Sequence, residues 1–546
     1  MEKGSRARRV MWETFVKMRI GVPKFDKILK EIQEHGCIPV HLPVPEIPRE
    51  LKDVQQKHKE TLRAQTETLK VNTILMREKV KVFQLVDRYA ELTVISTVRD
   101  RRLVEHELLA RGRDHEEWRD KHLRGELEKL GSDQLFQSSF SRSNSTSGSS
   151  AAVAGVPGIG KTTMVQKIVY DWATGKIYQQ FQFIGIWTEI LGFVGKERKE
   201  YFLRHFGDQT VAAVVFKHVQ ENEILYTMSY NPSYCWILAL ALGPFFTQGV
   251  RDPQRVPKTI TQLYSYYIYN ILKNHGREIE NPRDVLLRVG QMAFRGVSEK
   301  KIVFTDGDLF KFNLQPSQFL SGFLLELLER EDSARSVVYT FPHLTIQEFV
   351  AAVIQFLTLR PEDILKFLTE AHNTKGGRFD VFLRFVAGLS SPMASRGLEE
   401  FLGPFPHQTT CRVIDWVKEE VTRQVGNTES KAGKRSLLNT LHYLFESQNR
   451  GLAQAALGSV EELSFRGMTL TPIDCVVLSH AIVLCDTINN FDLWNCHIQC
   501  EGIQRLGPGL HKCLDLRLGD NDLGDSGVKL VSAALRNPEC KIQKLK

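Results

Sequence analysis

The chain has 546 residues, 42% of them hydrophobic, and 72 basic against 64 acidic side chains leave a net charge of only +8. That length predicts several domains, at about 100–200 residues each, and so small and dispersed an excess of charge excludes a reading as a nucleic-acid binder. The longest apolar run, Tyr234 to Phe246, is broken by Gly243-Pro244 and is shorter than the roughly 18–20 residues of a membrane span; it predicts a buried helix and no membrane span.

The first fifty residues form a basic and proline-rich tail. Arg6-Ala7-Arg8-Arg9 reads as a solvated terminus, and the prolines from Pro39 to Pro48 favour extended backbone. No apolar core with a small-residue cleavage site marks an export signal. With nine cysteines, an odd number, the pattern predicts reduced thiols in a cytoplasmic protein rather than a disulfide framework. Residues 51–137 are charge-rich with helical period, and Arg101 to Leu130 predicts a helix with a thin apolar stripe. Ser138 to Ser150 is a Ser/Gly-rich linker.

The linker runs into Gly155-Val156-Pro157-Gly158-Ile159-Gly160-Lys161-Thr162, which spells G-x-x-x-x-G-K-T. Glycines at this spacing let successive backbone N–H groups curl around phosphates. Lys161 reaches the terminal phosphates and the Thr162 hydroxyl holds Mg²⁺. Ala151 to Ala154 leads in as a short strand, and Thr163 continues a helix whose predicted apolar face is Val165, Ile168, Val169 and Trp172. Phe181 to Trp187 then reads as a strand, and from about Glu189 to Leu242 the pattern is helical.

Hydrolysis at such a loop needs an acid closing an apolar strand, to hold Mg²⁺ and place the attacking water. The best downstream spelling, Ile302 to Asp308, is interrupted by Thr305, and its Asp306-Gly307 predicts a β-turn; Val82 to Asp87 precedes the loop and fits a helix. No catalytic residue is assigned. A parallel sheet built from one βα unit and one further strand leaves open edges.

Near the C-terminus the spacing L-x-x-L-x-L-x-x-N/C-x-L recurs: Val460, Leu463, Phe465, Met468, Leu470; then Ile488, Phe491, Leu493, Cys496, Ile498; then Cys513, Leu516, Leu518, Asn521, Leu523. This predicts a leucine-rich repeat α/β solenoid over 458–546, in which each strand–helix unit buries its apolar face only against its neighbours. Leu545 would lie in the strand of a fourth copy, so the solenoid ends without a polar cap, as a truncated product would. Cys496-x-x-x-Cys500 with His497 has the look of a zinc half-site, but Cys496 holds the Asn/Cys position of the repeat, which predicts a buried structural thiol.

These motifs resemble the NOD-like receptors, the NACHT-type signal-transducing ATPases of innate immunity, and among them the fish-type group with a FISNA segment before NACHT. The strings that carry the resemblance are Leu85 to Ile95 and Glu105 to Gly112 for FISNA, Ala154 to Thr163 for the Walker A loop, Asn231-Pro232-Ser233-Tyr234-Cys235-Trp236 for the first helical domain, and Phe341 to Ala352 for the winged helix. The resemblance implies that Pro232 and Trp236 face the base and ribose, that His343 contacts the β-phosphate of ADP, and that Tyr89 belongs to the same site. With Gly155, Gly158, Ile159, Gly160, Lys161, Thr162 and Thr163, these residues would bind ATP or ADP with Mg²⁺, the metal meeting Thr162 through the nucleotide.

The implied fold is α/β plus α: a truncated P-loop NTPase core at 151–187, a first helical domain at 188–250, a winged-helix domain at 251–355, a second helical domain at 356–457, and the repeats. The Walker B and sensor strands expected of the family are missing, and so is a pyrin or CARD domain. Two functions are therefore expected in order: an innate immune receptor or regulator whose nucleotide switch hydrolyses poorly, or a scaffold or decoy acting on intact NOD-like receptors through its helical and repeat domains. Partners would be other family members or signalling proteins. A small-molecule kinase is disfavoured, since no acceptor-activating acid stands near the loop.

Overall fold

The structure is a computed structural model that describes residues 49–71, 81–90, 92–95, 129–130, 153–154, 160–177, 188–193, 196–247, 256–275, 281–315, 325–331, 334–374 and 377–546. Gly155, Gly158 and Ile159, the expected strand Phe181–Trp187 and nearly all of the expected helix Arg101–Leu130 lie outside these residues.

A helix, Arg49–Thr66, leads into a hairpin of β1 (Thr68–Val71) and β2 (Lys81–Gln84). The helix packs on the loop helix Lys161–Ala173, where the Lys59 ammonium lies 5.0 Å from the centre of the Trp172 ring. The buried stripe of the loop helix is Met164, Ile168 and Trp172, spaced i, i+4, i+8. This corrects the predicted face, because Val165 is exposed to solvent; a one-residue rotation of the stripe satisfies the same period.

The strand that leads into the loop, β5 (Val153–Ala154), pairs in parallel with β6 (Thr188–Gly192), Ala154 standing opposite Glu189. The other edge of β6 takes β3 (Thr93–Ile95), and β3 takes β4 (Lys129–Leu130), both antiparallel, for a sheet order β4-β3-β6-β5. Two expectations are corrected here. Residues 188–192 are a strand rather than the start of a helical run, and the segment before the loop supplies strands, including Lys129–Leu130, where helix was expected. Pairing on both edges of β6 outweighs a local period that helix and strand both tolerate over five residues.

Helices Lys196–Phe206, Gln209–Glu221, Glu223–Met228 and Pro232–Thr247 follow. Asp208 caps the second, its carboxylate accepting from the backbone N–H of Thr210 at 2.8 Å, and Asn222 caps the third. The apolar run is the buried helix Pro232–Thr247, which continues through Gly243-Pro244. Pro244 lies in the last turn, where its missing N–H costs one backbone bond, and a side chain at Gly243 would meet the Phe206 ring at 2.8 Å.

Next come helices Ile260–His275 and Pro282–Glu299, the sheet β7 (Phe304–Thr305), β9 (Ala334–Thr340) and β8 (Leu325–Glu331) in that order, all antiparallel, and the buried helix Leu344–Thr358. The expected Asp306-Gly307 turn is instead the first turn of helix Asp306–Lys311. A capping box makes the difference: the Thr305 hydroxyl accepts from Asp308 N–H while the Asp308 carboxylate accepts from Thr305 N–H at 2.9 Å. Partial burial raises the Asp308 pKa, but the Lys301 ammonium at 2.7 Å and the Thr305 donors outweigh it and bring it down to about 2. Its stabilisation is therefore complete above the ordinary carboxylate pKa and lost as pH falls through about 2. Asp308→Asn is expected to cost about 1 kcal/mol at pH 7, and thermal melts of the two proteins should converge toward pH 2.

Helices Pro361–His372, Asp380–Leu389, Pro392–Leu402, His407–Val425, Lys431–Ser447 and Arg450–Leu457 form the next layer. The chain ends in β10 (Glu462–Ser464), β11 (Ile488–Asp492), β12 (Cys513–Arg517) and β13 (Lys544–Leu545), all parallel, with helices Pro472–Leu484, Cys500–Leu510 and Gly524–Leu535 between them. The register aligns Leu463, Phe491, Leu516 and Leu545 in one column. Asn521, buried, donates to the Leu493 and Leu518 carbonyls at 2.7 and 2.8 Å and accepts from the N–H groups of Cys496 and Ile498, which locks one unit onto the next. The Cys496 thiol donates to the Phe465 carbonyl at 3.0 Å, and burial pushes it up to about 11.

A buried polar network joins the three C-terminal layers. The Glu446 carboxylate accepts from Thr261 N–H at 3.0 Å and from its hydroxyl at 2.6 Å, tying helix Lys431–Ser447 to helix Ile260–His275. One turn earlier, His442 Nε2–H donates to Asp474 at 2.7 Å, tying the same helix to Pro472–Leu484. Burial, then the Arg384 charge, drives His442 down to about 4, so it is neutral near pH 7.

Candidate functional site

Gly160 is the N-cap of the loop helix and takes a left-handed backbone, φ 89° and ψ 17°. A Cβ there would lie 3.0 Å from Leu92 Cδ1 and 3.8 Å from Pro232 Cγ. Glycine is thus required twice at this point, by conformation and by close approach, and two segments distant in sequence meet at the start of the loop helix. Lys161 follows, half-buried, and Thr162 and Thr163 lie in the first helical turn. The first N–H groups of a helix have no acceptor within it, and with the dipole of that turn they suit an anion, so the residues present fit a phosphate group.

Pro232 is the first residue of its helix, where proline's fixed φ is favourable. Asn231, fully buried, caps that helix by accepting from Ser233 N–H at 2.9 Å. The turn before it is held by Arg198, buried, which donates to the Tyr226 and Phe193 carbonyls at 3.0 and 3.3 Å and stacks 4.4 Å from the Tyr226 ring. Pro232 is therefore set on a rigid support. Trp236, one turn on, packs edge-on against Tyr267 with centroids 5.9 Å apart.

His343 caps helix Leu344–Thr358, and its Nδ1 accepts from Thr345 N–H at 3.2 Å. The Thr345 hydroxyl lies 2.8 Å from the same nitrogen and also bonds the Tyr264 hydroxyl. With Nδ1 as acceptor, the proton of the neutral ring sits on Nε2. The buried ring lies against Tyr234, centroids 4.6 Å apart. Tyr234 stands two residues after Pro232, so one helix links Gly160 on one side with His343 on the other.

Tyr89 lies beside the flank of the loop helix, its ring 5.5 Å from the Lys167 ammonium and its carbonyl bonded by Arg204. The structure thus brings Gly160, Pro232 and His343 into one chain of contacts, and places Trp236 against Tyr267 and Tyr89 against Lys167. Residues that motif reading missed are Leu92, Tyr234, Thr345 and Arg204. Leu92, Tyr234 and Thr345 stand inside strings already quoted for the resemblance, but only tertiary contact reveals what they touch.

Three segments match known domain families: residues 149–186 the NACHT domain, 284–341 the NOD2 winged helix domain, and 343–455 the NLRC4 helical domain HD2. The chain is similar to the cattle protein "NACHT, LRR and PYD domains-containing protein 3" (26% identical over 420 residues, 66% of this chain and 39% of that protein). It is also similar to the human "NLR family CARD domain-containing protein 3" (28% over 394 residues, 66% and 36%) and the human "NACHT, LRR and PYD domains-containing protein 12" (25% over 398 residues, 66% and 37%). The chain spans less than half the length of these relatives.

Proposed function

We infer that this chain is a NOD-like receptor, and we propose that Gly160, Lys161, Thr162, Thr163, Pro232 and His343 form an ADP/ATP site that works as a conformational switch. The observation that carries this reading is the meeting of Pro232 with Gly160, and of Tyr234 with His343, on one buried helix. Three domain matches in succession, NACHT, winged helix and HD2, support the family.

Bound nucleotide would supply phosphates whose negative charge Mg²⁺ and the loop would neutralise together. The chain's own residues do the rest. The first turn of the loop helix and Lys161 bind phosphate, Pro232 closes the apolar side, and the Nε2–H of His343 is a donor suited to a phosphate oxygen. Because Pro232 and His343 belong to different helices, a diphosphate touched by both favours their closed arrangement. Exchange for ATP shifts the population only by the difference in its affinity for the two arrangements.

Hydrolysis is poor in this reading, because no Asp stands between the loop helix and Asp208 to close the strand that should follow it. The in-register column and the Asn521 bonds support a leucine-rich repeat reading of 458–546, and the segment before the loop, with its Tyr89 and Leu92, would be the FISNA part. The protein would act in the cytoplasm, with other NOD-like receptors or signalling proteins as partners; among the described residues no helix is long and apolar enough to cross a membrane.

Binding of fluorescent ADP with and without Mg²⁺ tests the site. Lys161→Ala should weaken it about 100-fold or more, since a charge-assisted phosphate contact is lost, and turnover of ATP should be slow in the parent protein. Equal binding by parent and variant, or brisk turnover that Lys161→Ala removes, would overturn the corresponding half of the proposal.

A further inference from the structure

We propose that Arg204 is a positioning residue of the nucleotide site: it latches the segment formed by residues 85–90 and 92–95 across the start of the loop helix and so slows nucleotide release. The inference rests on the nucleotide reading above and adds what controls departure.

The latched segment is tied at several points. At its beginning Leu85, fully buried, donates its N–H to the Glu67 carbonyl at 2.8 Å. At its end β3 is paired on both edges, by β4 and β6. Between them Leu92, buried, reaches the point where a Cβ on Gly160 would stand. Tyr89 bridges two helices: its ring takes the Lys167 ammonium of the loop helix, and its carbonyl accepts from the Arg204 guanidinium of helix Lys196–Phe206. Arg204 is oriented in turn by Glu200, 2.5 Å away.

Leu92 and Pro232 stand nearest the start of the loop helix among the described residues, and in this proposal a nucleotide whose phosphates lie there leaves when one of the two gives way. Pro232 opens a helix fixed by buried Asn231 and Arg198. Leu92 belongs to a segment held across its middle by hydrogen bonds and a cation–π contact, and among these the Arg204 bond is charge-assisted, the strong kind. The Arg204 side chain is 34% exposed, so water is at hand to receive its guanidinium when the bond to the Tyr89 carbonyl opens. The segment is therefore the side that yields first, and Arg204 sets how often it does.

The test is release of fluorescent ADP, chased with unlabelled ADP, from the full chain and from Arg204→Ala, Arg204→Lys and Leu92→Ala. Arg204→Ala should release roughly tenfold faster with an association rate within about twofold. Lysine, one donor in place of a fork, should recover part of the difference, and Leu92→Ala should also speed release. Amide exchange at Leu85 to Tyr89 should quicken in Arg204→Ala, a change that a purely surface role would not produce. Release at the parent rate from an Arg204→Ala protein that still binds through Lys161 overturns the latch and leaves the nucleotide site standing; a parent protein without Lys161-dependent binding overturns both.

Discussion

Glu446→Ala is expected to destabilise the fold by about 3–5 kcal/mol, the loss associated with removing one partner of a buried charged network. Its carboxylate satisfies both the N–H and the hydroxyl of Thr261, a residue with no solvent exposure. Alanine would leave two buried donors without an acceptor, each costing about 1–3 kcal/mol, and a cavity beside them. Glu446 also lies in the field of Arg384, whose guanidinium is buried among Asp474, Asp380 and Glu446 and whose pKa burial lowers. Losing one carboxylate from that set leaves the cation less compensated. Glutamine keeps the shape and one carbonyl acceptor, so Glu446→Gln should cost only about 1 kcal/mol. Urea unfolding followed by helical circular dichroism reads both, and an alanine variant within about 1 kcal/mol of the parent would show that the network carries little of the stability. Helix Lys431–Ser447 carries Glu446 and His442 one turn apart, so its loosening should also speed amide exchange in Pro472–Leu484, reached through the His442–Asp474 bond.

This network is illegible in the sequence, whereas the G-x-x-x-x-G-K-T string and the repeat spacing are plain. The difference is one of range. G-x-x-x-x-G-K-T and L-x-x-L-x-L are constraints between near neighbours, so the helix start at Lys161 and the column Leu463, Phe491, Leu516 follow from spacing alone. Thr261 and Glu446 are 185 residues apart, and neither residue type announces a partner. The same reason explains β6: Thr188–Gly192 is a strand because β3 and β5 flank it, and β3 comes from a segment whose charge pattern reads as helix. Asp306-Gly307 shows the opposite failure. The signal is local, a Thr-x-x-Asp capping box, and it outweighs the turn-forming pair inside it. At the candidate site Pro232 and His343 came from resemblance; their junction through Tyr234 and Gly160 came from packing.

Gly160→Val is the substitution with the largest expected effect on nucleotide binding after loss of Lys161 itself, and its cost divides into two separable parts. The first is conformational. At φ 89° a β-branched residue is strained by about 1–3 kcal/mol, and relief would come by turning the Gly160 peptide, which moves the first N–H groups of the loop helix away from the phosphates. The second is steric: the Cβ alone would stand 3.0 Å from Leu92 Cδ1, and a branched side chain adds methyl groups toward Leu92 or Pro232. ADP affinity should fall at least about 100-fold, while global stability drops by only about 1–3 kcal/mol, because Met164, Ile168 and Trp172 still anchor the loop helix. Adding Leu92→Ala to Gly160→Val removes the crowding but not the backbone strain. Leu92→Ala itself leaves a cavity worth about 2–5 kcal/mol; against that background Gly160→Val should cost less stability than in the parent but as much affinity, whereas a small loss of affinity there would show that Leu92, and not the left-handed backbone at Gly160, decides whether the site can form.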